Sequence, residues 1–144
     1  MAVSDATLQT LIQIAGAGTL ALAAASPLIP RALQWREKLT ALDPLLRRLF
    51  WVYASYILGT NIALGLVSFL AADALVHPGP LALAVNLYAA LYWGARVAIQ
   101  FACFQDVKPE GVGYRGAEAV LIALFVYSTA VYVLAALSGS GVWG

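Results

Sequence analysis

Four long apolar stretches, at residues 7–29, 48–73, 81–104 and 117–137, constrain this chain more than any other feature. About 20 mostly apolar residues in a helix cross the hydrocarbon core of a bilayer. Hydrocarbon offers no water to backbone N–H and C=O groups, so each stretch must satisfy them internally, as a helix. Composition agrees: 62% of residues are hydrophobic and 10% charged, far from the balance of a soluble domain. The expected fold is all-α: a polytopic membrane protein with four transmembrane helices in an up-down bundle, forming a single domain over residues 1–144.

Local signals mark where the helices begin and end. Ser4 or Asp5 is placed to cap the first segment, and Pro27 and Pro30 close it. No basic residue precedes Arg31, which is unlike a cleavable signal peptide, so the first segment is expected to be retained. Ala17, Ala21 and Ala25 recur at a spacing that lets two helix backbones approach, with Gly16 and Gly18 beside them. Residues 31–42 interleave Leu33, Trp35, Leu39 and Leu42 with charges, the pattern of a short amphipathic helix at the membrane surface. Asp43-Pro44 reads as an N-cap followed by proline at the first helical position. Within the second segment, Gly59 and Gly65 are candidates for close packing, and Asn61 requires a hydrogen-bonding partner on another helix. Residues 73–80 form a turn containing His77, which is expected to be solvated, and Pro80 opens the third segment. Glu118 is expected in the first turn of the fourth, where the helix dipole favours an acid. The tail from 138 onward is uncharged and reads as a loose end.

Charge sets an expected orientation. Seven of the eight basic residues lie between the first and second segments or between the third and fourth. The positive-inside rule then puts loops one and three in the cytoplasm and both termini outside, in a bacterial inner membrane.

The eighth basic residue is Arg96, inside the third segment and eight residues before Phe104, or ~12 Å along a helix. A charge at the bilayer centre costs about 2.5–3.5 kcal/mol on insertion scales, so Arg96 needs a reason to be there. Tyr92, Trp93, Gln100 and Asn86 fall on its side of a helical wheel, with Cys103 beyond. One reading is an anion site, with Arg96 holding a headgroup phosphate or carboxylate flanked by Tyr92, Trp93, Gln100, Asn86 and Asn61. The other is a structural ion pair, with Arg96 reaching to Glu118 or Asp106 at the interface. Tyr53, Tyr56, Tyr88, Tyr92, Tyr127 and Tyr132 either line a pocket for a flat apolar ligand, such as a quinone, carotenoid or sterol-like lipid, or form an interfacial belt.

Other chemistry is disfavoured. One His and one Cys are too few for a zinc site, an iron–sulfur site or bis-histidine haem. Cys103 is expected to be reduced and to act as a small packing residue. No acid lies deep in a segment and no nucleophile–base set or phosphate-binding glycine loop is present, so acid–base catalysis by this chain alone is not expected. A formal net charge of +1 gives no case for nucleic acid.

In size and topology the chain resembles the membrane-associated eicosanoid and glutathione metabolism superfamily. That family binds glutathione through arginine, asparagine and glutamate on its second helix. Here Arg47 and Arg48 precede Asn61 by more than three turns and no glutamate lies on that segment, so the site does not carry over. The leading expectation is a non-catalytic accessory or scaffolding subunit that packs against itself or other membrane proteins. A binder or carrier of an anionic lipid or amphiphile through an Arg96 pocket is the alternative. A membrane enzyme whose chemistry comes from a cofactor or partner chain is the third.

Overall fold

A computed structural model describes residues 3–107 and 110–140, and it is all-helical. Four helices are long and apolar enough to cross a membrane: α1 (Asp5–Ala25), α4 (Pro44–Leu70), α6 (Pro80–Cys103) and α7 (Val112–Gly139). These are the features of a membrane-embedded protein. Short helices α2 (Leu28–Ala32) and α3 (Trp35–Lys38), then a 3-10 turn at Leu39–Ala41, connect α1 to α4. Helix α5 (Ala72–Val76) precedes α6.

Each long helix starts where its chemistry dictates. Ser4 Oγ accepts from the Thr7 amide at 3.3 Å and caps α1. Asp43 Oδ1 accepts from the Leu45 amide at 2.9 Å, with Pro44 as the first residue of α4, and Pro80 opens α6 after an extended Gly79. Helix α7 begins earlier than expected, since Gly113 and Gly116 are helical rather than loop. Glu118 consequently lies well inside α7, where it is buried, and does not cap its first turn. A second difference is the turn at 73–80, which still holds one helical turn, α5, before Pro78 ends it.

The surface helix expected over 31–42 is not continuous. Gln34 adopts a left-handed conformation (φ 54°) and breaks it into α2 and α3. That conformation costs a non-glycine residue about 1–2 kcal/mol, so neighbouring contacts must hold it. Trp35 supplies them. It meets Phe50 edge-on at 5.1 Å between ring centroids and lies 6.3 Å from Trp51, pinning the strap of residues 27–41 to the start of α4.

Helix α1 is the hub. It packs along α4 and also against α7 and α5, while α6 packs along α7. Helices α4 and α6 make little backbone contact. The α1–α4 approach is so close that a Cβ on Gly16 would come within 2.7 Å of the Phe69 amide nitrogen and 2.9 Å of the Gly65 carbonyl oxygen. Gly16 and Gly65, with Ala15, Thr19 and Ala23, form the buried seam. Ala17, Ala21 and Ala25, expected at such a seam, are exposed instead. Side-chain hydrogen bonds then tie the bundle: Tyr127 Oη donates to the Leu11 carbonyl at 3.0 Å, Ser68 pairs with Tyr132, and Asn86 Nδ2 donates to the Leu75 carbonyl at 3.0 Å. Such bonds persist in hydrocarbon because the alternative is an unsatisfied polar group.

Two outcomes follow from these contacts. Gly16→Ala is expected to destabilise the protein by about 1–3 kcal/mol through overpacking, whereas Gly59→Ala, with nothing within 4 Å of the added carbon, is expected to be neutral or to gain up to ~1 kcal/mol. Thermal unfolding in mild detergent compares the two. In the α5–α6 turn, His77 Nδ1 donates to the Asp73 carbonyl at 2.7 Å, and this bond, followed by the Asp73 carboxylate, raises its pKa above 6.5. Protonated His77 therefore favours the folded turn, a contribution fully present below pH 6.5 and lost as pH rises through the raised value. Titration of this single imidazole by NMR should give a pKa above 6.5 that Asp73→Asn lowers only in part, because the carbonyl remains.

Candidate functional site

The weak contact between α4 and α6 leaves space between them, and the strap folds over one end of that space. The result is a cavity of about 790 Å³, within the usual range for small-molecule sites. Its walls come from the end of α1, the strap, the first half of α4, and single residues of α6 and α7. Arg96 is the α6 contribution and Leu121 that of α7. Asn61 lines it from α4, with Trp51, Ala54, Ile57 and Leu58 nearer the strap. Arg31, Gln34, Trp35, Arg36 and Glu37 face it from the strap. Apolar walls with a few charged groups at defined points are the usual makeup of a site that orients an amphiphile.

Arg96 is half-buried, with its guanidinium carbon 5.2 Å from the centroid of the Phe125 ring. A cation over an aromatic face is stabilised by the ring quadrupole. Among the described residues the ion pair present is His77–Asp73, and neither Arg96 nor Arg31 or Arg36 takes part in one. Glu118 Oε1 accepts from Gln100 Nε2 at 2.9 Å, because the early start of α7 sets Glu118 beside Gln100, one turn beyond Arg96.

The other expected site residues divide. Tyr92 Oη donates to Asn61 Oδ1 at 2.7 Å, the side-chain bond that bridges the loosely packed α4 and α6. Asn61 is 4% exposed, and its partner on another helix is Tyr92. Trp93 does not line the cavity. It is fully buried, stacked on Phe125 at 5.4 Å, and its Nε1 makes no hydrogen bond. Asn86 lies some ten residues, or ~15 Å, from Arg96 along α6 and holds the end of α5. Tyr53, Tyr56 and Tyr88 are exposed on the outer surface, in keeping with a belt more than a pocket. Cys103 is exposed at the end of α6 and is not a packing residue. Among the described residues no group of three His, Cys, Asp or Glu is placed to hold a metal ion.

Sequence reading missed Arg31 and Arg36 as site residues. Their only local signal was a basic segment, and nothing in it showed that a chain reversal at a left-handed Gln34 would let both line the same cavity as Arg96, some 60 residues later.

No family model, no curated protein and no solved structure matches this chain.

Tyr92→Phe is expected to lower stability by about 0.6–2 kcal/mol, leaving Asn61 Oδ1 without its donor. The Asn61→Leu, Tyr92→Phe double variant should recover part of this, since both polar groups are then gone. Denaturation of the four proteins in one detergent gives the coupling directly.

Proposed function

We propose that this chain binds an anionic amphiphile in the cavity beneath the strap, with the headgroup on Arg96 and the apolar tail leaving between α4 and α6. One observation carries the reading. The arginine inside the apolar helix, paired with no carboxylate among the described residues, opens into a 790 Å³ cavity with an apolar wall. A snorkelling residue needs only a route to water, whereas a guanidinium at the floor of such a cavity is placed to offset a charge brought in by a ligand. The Tyr92–Asn61 bridge, where α4 and α6 separate, marks the side on which a tail would reach lipid.

The proposed setting is a bacterial inner membrane, with the four long helices crossing in up-down order and both termini outside. The strap and the α6–α7 loop would then meet the cytoplasmic leaflet, where anionic lipid is abundant. Arg96, near the strap end of its helix, lies at the depth a headgroup reaches by sinking below the surface.

A second reading, an accessory or scaffolding subunit, draws on the outward face of α4. Ser55, Gly59 and Ala63 form a shallow groove there beside an exposed Tyr56, a shape that accepts another helix. Native mass spectrometry after gentle extraction separates the two. Retention of one anionic lipid per chain, lost in Arg96→Leu with little change in melting temperature, supports the binder. A heteromeric complex that keeps its mass in Arg96→Leu and carries no lipid supports the subunit.

A further inference from the structure

The cavity holds more positive charge than one simple anion can neutralise. Arg96, Arg31 and Arg36 line it, and Glu37 is the only carboxylate residue lining it among the described residues, so the lining carries three arginines against one acid and a formal charge of two. None of the three arginines is in an ion pair among the described residues. The arrangement is built rather than accidental in one respect. Gln34 takes a left-handed conformation between α2 and α3, and this reversal lets Arg31 on one side and Arg36 on the other line the same space. Trp35 then locks the reversal against Phe50 and Trp51. The remaining basic residues of that loop, Lys38, Arg47 and Arg48, do not line the cavity.

Resting on the proposed function, we infer that the headgroup recognised is a phosphate monoester, which carries close to two negative charges and three terminal oxygens. A phosphodiester or a carboxylate brings one charge and leaves a guanidinium uncompensated in a partly desolvated space. A monoester balances the cavity charge and offers an oxygen to each arginine fork, the geometry in which arginine exceeds lysine. Arg96 holds the inner end of the phosphate, while Arg31 and Arg36 close over it from the strap.

The test uses the full chain in nanodiscs of zwitterionic lipid doped, at equal mole fraction, with phosphatidic acid or phosphatidylglycerol of the same acyl chains. Retention is read by native mass spectrometry. Phosphatidic acid is expected to be retained at least tenfold more than phosphatidylglycerol. Arg31→Ala and Arg36→Ala should each erase that preference. Both residues are exposed, so melting temperature should not move. Arg47→Ala and Arg48→Ala, on the same loop but outside the cavity, should leave the preference intact. Displacement of the bound lipid by millimolar inorganic phosphate would support the dianion and indicate a soluble phosphate ester as the source. Lack of displacement, with the preference kept, indicates a lipid. Equal retention of the two lipids overturns the monoester inference and leaves the anionic-amphiphile reading standing, whereas retention of neither overturns both. A preference lost equally in Arg47→Ala reduces it to general attraction by a basic loop and also overturns the inference.

Discussion

Helices in lipid gain little by burying apolar surface against one another, because the tails around them are as apolar as leucine. What holds this bundle is therefore close backbone approach plus polar groups that would otherwise go unsatisfied. The Gly16–Gly65 seam supplies the first and draws α4 onto α1. With α7 also packed on α1, and α6 on α7, no strong contact is left between α4 and α6. The space the site uses is thus a consequence of where the glycines lie. Tyr92 and Asn61 span it with one hydrogen bond rather than fill it with packed side chains.

The strap converts that space into a cavity. Its hold on α4 is aromatic, through Trp35, Phe50 and Trp51, and its shape depends on one residue in a costly conformation. Backbone strain of this sort persists where surrounding contacts over-determine it, and it concentrates at binding sites. Arg96 shows the same economy. Its position in the apolar helix is expensive in lipid, and Phe125 offsets part of that cost through the cation–ring contact.

Much of the helical framework was legible in the sequence because its signals are local. Pro80 and the Asp43-Pro44 pair mark their helix starts through fixed φ and a nearby carboxylate, which need no tertiary context. The start of α7 was not legible: glycines at 113 and 116 read as loop, yet an apolar helix tolerates them. The α1 seam was misplaced by one residue, from Gly16 to Ala17. A helix apolar on every side has no polar face to reveal which side is inward. For the site, Arg96 and Asn61 stood out because lone polar groups in apolar runs need an explanation. Asn86 and Trp93 lie away from the cavity, which a helical wheel cannot foresee because it shows direction but not depth or neighbours. Arg31 and Arg36 depend on a contact between distant segments, and no local pattern encodes it.

Quenching of tryptophan fluorescence by brominated lipid tests the central claim most directly, since Trp35 and Trp51 both line the cavity. In nanodiscs of unlabelled zwitterionic lipid, a small fraction of anionic lipid with bromine near the headgroup end of its chains should quench saturably, and Arg96→Leu should abolish the saturation. Quenching that rises in simple proportion to lipid content, alike for anionic and zwitterionic brominated lipid and unchanged in Arg96→Leu, would contradict an amphiphile seated in the cavity.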